Sequence, residues 1–270
     1  MTTDGIWQEI ETLLREFDEL GISESVDFDK YYLYSLITHS TAIEGSTLTE
    51  NETQLLFDEG VTAKGKPLVF HLMNEDLRKA YELAKEDAKH ETAITPDFLQ
   101  TLNSAVMRTT GSIHNVMAGS FDSSKGEFRL CGVTAGVGGK SYMDFHKVPD
   151  KVAELCKICQ SQAKKVSTMR EKYEISYNAH LNLVTIHPWV DGNGRTARLL
   201  MNYIQFLYGL FPAKIFKEDR AEYIIALQKS QSDGDNGPFL NFMAEQLKKS
   251  LSIEIDKFKA SQNKGFSFLF

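Results

Sequence analysis

Apolar positions recur at helical spacing along most of the chain. Ile6, Ile10, Leu13, Leu14 and Phe17 form one stripe over residues 6–20, closed by Gly21. A second helix is predicted from Asp27 as N-cap to Glu44, with Gly45 as a left-handed C-cap. Thr49-Glu-Asn-Glu52 reads as a capping box that opens a short helix through Leu55, Leu56 and Phe57. A longer helix follows over 69–88, with Leu72, Ala80, Leu83 and Ala84 among its apolar positions, and Pro96 after Thr95 opens another through Leu99, Leu102 and Val106.

Helical periodicity lapses between Gly111 and Pro149. There the segments 128–134 and 140–145 flank a glycine-rich stretch, 136–139, which predicts a β-hairpin. Helices resume over 149–166 and 175–186. Leu199, Leu200, Tyr203, Ile204 and Leu207 then mark a strongly apolar helix central to the core. Two more are expected over 221–230 and 238–258, separated by a polar loop at 232–237 whose carboxylates lack the ligand spacing of a calcium loop. The expected fold is all-α, one helical domain with a small β-hairpin. The apolar end, Phe266-Ser-Phe-Leu-Phe270, is open to three readings: packed back on the domain, covering a partner chain, or a disordered tail.

Composition narrows the function classes. At 270 residues and 42% hydrophobic content the chain can bury a sizeable core, and its net charge of −7 argues against nucleic acid as the main partner. No apolar run is long enough to span a membrane, and the N-terminus does not read as a signal peptide, so a cytoplasmic protein is expected. Cys156-Lys-Ile-Cys159 has redox or zinc spacing but lies in a helical run without a second ligand pair, so it reads as ordinary helix with one cysteine facing the core. Two stretches imitate phosphate loops. In 60–67, Pro67 stands where a Ser or Thr would hold magnesium; in 134–141, Thr134 stands where the first glycine would be.

Chemistry concentrates in His187-Pro-Trp-Val-Asp-Gly-Asn-Gly-Arg-Thr-Ala-Arg198. A residue before proline is pushed out of the α region, so the helix should stop near His187 and leave its imidazole, a proton acceptor suited to neutral pH, on a loop. Gly192-Asn193-Gly194 permits a tight turn whose N–H groups converge on an anion at the next helix start. Arg195 and Arg198, spaced i, i+3, share a helix face fit to clamp phosphates. Asp191 among anion binders makes sense if a divalent cation bridges carboxylate and phosphate.

This string resembles the signature of the Fic family, His-Pro-Phe-x-Asp/Glu-Gly-Asn-Gly-Arg-x-x-Arg, with Trp189 in place of the phenylalanine. The resemblance, covering about 31–258, implies an all-helical Fic domain: N-terminal helices to about 95, a core over about 96–260 and a tail at 261–270. It implies transfer of AMP from ATP to a Ser, Thr or Tyr hydroxyl of a target protein. His187 would be the base and Asp191 the ligand of a magnesium or manganese ion. The amides of Gly192, Asn193 and Gly194 would form the anion hole, Arg195 would contact the phosphates and Arg198 the γ-phosphate. Ser40-Thr-Ala-Ile-Glu44-Gly45 is similar to the family's inhibitory motif, in which the glutamate pairs with the second arginine, here Arg198. By position, the 128–145 segment resembles the flap that aligns a target strand, with Thr134, Gly136, Lys140 and Tyr142 as candidate contacts. The resemblance leaves open auto-modification, removal of AMP by water that the glutamate activates, and a homodimer. Transfer of another phosphate-containing group, or ATP sensing with little turnover, are the competing functions.

Overall fold

The computed structural model describes residues 3–135, 139, 141–163 and 165–263. Gly136 and Lys140 of the expected flap, and the Phe-rich end, lie outside the described residues. Ten α-helices run through the described residues in the order α1 (Thr3–Glu19), α2 (Phe28–Ile43), α3 (Glu50–Glu59), α4 (Leu68–Lys89), α5 (Pro96–Val106), α6 (Val148–Ala163), α7 (Met169–Ile186), α8 (Asn193–Leu207), α9 (Arg220–Asp233) and α10 (Gly237–Asn263). None is long and apolar enough to cross a membrane.

Two compact units emerge, residues 1–39 with 213–270 and residues 40–212. In the first, α1 packs along α10 and α10 along α9, burying Ile6, Ile10 and Phe17 of α1 together with Tyr223, Phe239, Leu247 and Leu251. In the second, α7 and α8 pack together, with α4 and α5 against α8 and α6 against α7. Helix α8 is buried on nearly every side, and a chain of hydrogen bonds ties the polar groups at Asn202 and Gln205 to its neighbours. Tyr81 donates to Asn202 Oδ1 at 2.6 Å, Asn202 to Gln205 Oε1 at 2.9 Å, and Gln205 to Ser176 Oγ at 2.9 Å. A satisfied network of this kind fixes the rotation of α8 as apolar packing alone would not.

Local signals set most helix ends. Thr49 accepts from Glu52 N–H while Glu52 accepts from Thr49 N–H, the expected capping box, and Thr168 with Glu171 makes a second one at the start of α7. Thr95 caps α5 with Pro96 in its first turn. Helix α2 ends in a Schellman arrangement: Ser46 N–H reaches Thr41 O and Gly45 N–H reaches Ala42 O, with Gly45 at φ 102°. Its start differs from expectation. Asp27 sits at φ 60°, in left-handed rather than extended backbone, and so does not adopt N-cap geometry. Both Cys156 and Cys159 are buried, and burial pushes their thiols up to about 11 and about 12, which keeps them protonated and inert.

The regular hairpin lies earlier than the glycine-rich stretch suggested. Strands β1 (Ile113–Val116) and β2 (Gly119–Asp122) pair antiparallel around Met117 and Ala118, a turn without the Asn-Gly or Asp-Gly signature that would have announced it. The 128–145 segment contributes one antiparallel bridge, Thr134 with Ser141, and the bond from Tyr142 N–H to Val133 O.

Candidate active site

Helix α7 stops at Ile186, and His187 takes its C-cap position at φ 53°. Left-handed backbone costs a non-glycine residue about 1–2 kcal/mol, so something must hold the bend. Arg129 does so: its Nε donates to His187 O at 2.8 Å and its backbone N–H donates to Pro188 O at 3.1 Å. The bend tips the His187 ring under Tyr142, which stacks on it with centroids 3.7 Å apart. Burial lowers the imidazole pKa to about 4, and the Arg129 charge adds to that; the Val184 carbonyl and the Glu44 and Asp191 carboxylates oppose it. The ring is therefore neutral at physiological pH and able to accept a proton.

Past His187 the loop is stapled to itself. Trp189 is fully buried, donates its indole N–H to Gly126 O at 2.8 Å and lies beside Phe128, so the larger aromatic fills the loop's anchoring pocket. The Asn193 side chain accepts from Trp189 N–H and donates to Trp189 O at 2.9 Å, closing the turn. Gly192, at φ 78°, has no room for a side chain: a Cβ would lie 2.8 Å from both Asn103 Nδ2 and Met107 Sδ. From below, Asn103 of α5 donates to Thr196 Oγ1 at 3.0 Å and reaches toward Asp191 O. Of the three amides expected to form an anion hole, that of Gly192 bonds Asp191 Oδ1 at 2.6 Å, while those of Asn193 and Gly194 open α8, where a helix offers its N–H groups no internal acceptor.

The two arginines have different surroundings. Arg195 is 1% exposed and runs to the C-terminal end of α5, where a cation is favoured, reaching Val106 O, Met107 Sδ and, at 3.4 Å, Asp191 Oδ1. Asp191 itself is 68% exposed on its side chain, so it presents its carboxylate to solvent at the loop's mouth. Arg198, also buried, points toward the end of α2. Its Nε donates to Ser40 Oγ at 2.8 Å and its Nη2 to Ser40 O at 2.9 Å and to Glu44 Oε1 at 2.7 Å. Glu44 lies so close over the start of α8 that a Cβ on Gly194 would sit 2.3 Å from its Oε1.

His187, Asp191, Gly192, Asn193, Gly194, Arg195, Arg198, Ser40, Glu44 and Tyr142 thus converge around one helix N-terminus. Thr134 lies on the same segment as Tyr142, at its single bridge to Ser141. Sequence reasoning does not find Arg129 and Asn103, which hold the loop by bonds to distant residues.

The class that fold and site define is a helical domain with a neutral imidazole and two buried arginines gathered at one helix N-terminus. Residues 93–205 match the model of the Fic/DOC family, and the chain carries a domain of that family. It is 32% identical over 227 residues to Protein adenylyltransferase Fic of Drosophila erecta, which covers 80% of this chain and 41% of that protein. It is 31% identical over 244 residues to Protein adenylyltransferase fic-1 of Caenorhabditis elegans, covering 87% and 43%. The chain therefore spans about two fifths of the length of the curated relatives it matches. Two solved structures share the fold. A Fic domain containing signaling protein from Bacteroides thetaiotaomicron has TM-score 0.77 at 24% identity, covering 93% of this chain and 97% of that one. Fic-1 from C. elegans has TM-score 0.74 at 22% identity, covering 96% and 74%.

Proposed function

We propose that the protein is a self-inhibited adenylyltransferase that moves AMP from ATP to a hydroxyl of a target protein. The observation that carries this reading is the neutral His187 beside the amides that open α8, with the Arg198 guanidinium held by a carboxylate where a phosphate would otherwise bind. In the reaction, His187 takes the proton of the attacking hydroxyl. The hydroxyl oxygen bonds the α-phosphorus in line, and the bond to pyrophosphate breaks. The amides of Asn193 and Gly194 face the negative charge of the transferred group, and Arg198, once released, holds the γ-phosphate. Arg195 keeps the loop and the Asp191 carboxylate in register from beneath and adds positive potential toward the phosphates.

Asp191 fits a magnesium or manganese ion. Among the described residues no group of three or more His, Cys, Asp or Glu side chains could hold a metal alone, and magnesium is commonly held by one carboxylate together with substrate phosphates. Such an ion would neutralise phosphate charge when bound. Activity should accordingly require the divalent cation, and Asp191→Ala should lower kcat/KM at least about a hundredfold, since a bound cation contributes several kcal/mol to the transition state. Full transfer activity in excess chelator would contradict the assignment.

The pH dependence follows from the depressed imidazole. Protonation removes the base, so kcat/KM, which reports the free enzyme, should be flat through neutrality and fall as pH drops through about 4, rather than near the ordinary histidine value. An acid limb centred at 6 or above would show that His187 is not held as the structure places it.

The Glu44 pair with Arg198 is what supports self-inhibition: the carboxylate stands in for the γ-phosphate and crowds Gly194. The same contact favours a second reading, a nucleotide sensor with little turnover.

A further inference from the structure

Arg129 is 1% exposed; burial lowers its pKa, and the Asp144 carboxylate opposes this without forming a salt bridge to it among the described residues. Its guanidinium instead donates to three backbone carbonyls: His187 O at 2.8 Å, Cys131 O at 2.7 Å and Met143 O at 2.7 Å. Its own N–H takes a fourth, Pro188 O. Burying a charge without a counter-ion is costly, and a hydrophobic side chain of similar volume would usually serve packing as well or better. What a hydrophobe cannot supply is a rigid planar fork with donors fixed in direction.

That fork joins two pieces of chain far apart in sequence. Cys131 and Met143 lie on the two limbs of the 128–145 segment, on either side of the Thr134–Ser141 bridge, while His187 and Pro188 form the strained bend that aims the imidazole. The segment's second attachment is Tyr142, stacked on the ring itself. We propose that Arg129 is a positioning residue: it locks the limbs 128–135 and 141–145 to the His187 bend, so that a target strand lying along them presents its hydroxyl to a base of fixed orientation. This rests on the transferase reading above. It adds that alignment of the target and of the base are a single structural variable, set by one arginine.

The electrostatics agree with the geometry. The groups facing the His187 ring are Arg129 from the segment, Glu44 from the end of α2, Asp191 from the loop, the Val184 carbonyl from α7 and the Tyr142 ring. Among the described residues Arg129 is the one cation in that set, and it favours the neutral imidazole.

The test uses the full chain in a Glu44→Gly background, comparing Arg129→Met and Arg129→Lys. Binding of a non-hydrolysable ATP analogue should stay within about twofold, while kcat for AMP transfer falls about a hundredfold in both variants, the loss expected when reacting groups are displaced by about 1 Å. Lysine keeps the charge but not the fork, so it carries the test if the methionine variant proves unstable on thermal unfolding. A kcat within about threefold of the parent in the lysine variant would overturn the proposal while leaving the transferase reading intact. If the Glu44→Gly parent itself transfers no AMP, that reading fails and NMR titration of the His187 ring decides. Changed His187 ring shifts, with loss of the Tyr142 ring-current effect, in both Arg129→Met and Arg129→Lys support the lock; a ring whose shifts and titration are unmoved in Arg129→Lys overturns it.

Discussion

His187→Ala is expected to abolish AMP transfer while leaving nucleotide affinity nearly unchanged. Loss of a general base lowers rates by about 10²–10⁴-fold, and the phosphate-facing groups of the site, the amides opening α8 and the two arginines, do not depend on the imidazole. The substitution has a structural side that must be separated from the chemical one. Position 187 is in left-handed backbone, which Ala tolerates poorly and Asn tolerates well. Its ring also carries the stack with Tyr142. His187→Asn is therefore the companion variant: it keeps the bend and the carbonyl that Arg129 binds, and it loses the base. Both variants should be inactive by transfer of label from ATP. Both should bind a nucleotide analogue as the parent does by calorimetry. Undiminished labelling in His187→Asn would remove the imidazole from the mechanism.

Glu44→Gly is expected to speed transfer strongly, by about a hundredfold. Glu44 Oε1 holds Arg198 at 2.7 Å and crowds the first turn of α8 over Gly194, so ATP must either displace it or bind with its phosphates shifted, and a shift of about 1 Å can cost that factor. The side chain lies one residue beyond the last helical residue of α2 and is about one third exposed, so its removal should leave the fold intact. The Ser40 contacts, from Oγ and from the carbonyl, keep Arg198 oriented after the carboxylate has gone. Glu44→Gln separates charge from bulk: it should activate less than glycine if crowding over Gly194 contributes and equally if the ion pair alone inhibits. Arg198→Ala combined with Glu44→Gly should be inactive, because the group that inhibition withholds is then missing. A Glu44→Gly protein that is folded and no faster than wild type would contradict self-inhibition.

Local chemistry was legible in the sequence because it is local in sequence. The bend at His187, the turn at Gly192 and the opening of α8 follow from proline, glycine and helix geometry within 187–198, and the caps at Thr49 and Thr95 follow from Glu52, three residues on, and from Pro96, the next residue. The support of the site was not legible. Arg129 meets the His187 carbonyl across 58 positions and Asn103 meets Thr196 across 93. A carbonyl is common to every residue, so nothing in the string marks it as a partner. The β1–β2 hairpin escaped for a related reason, since Met117 and Ala118 carry no turn signature, whereas the glycines at 136–139 drew the prediction to a segment held mainly by an arginine. The cysteine pair is partly legible: helical spacing predicts one thiol facing the core, and α6 buries both.

The most direct measurement of the central claim is label transfer by the Glu44→Gly protein, incubated with magnesium and with ATP labelled either at the α- or at the γ-phosphate, followed by mass spectrometry of whichever protein takes up label. Transfer of AMP predicts incorporation from the α position alone, accompanied by a mass increase equal to one AMP and abolished by His187→Asn. Incorporation from the γ position, or from neither across the protein itself and a panel of candidate targets, would contradict it.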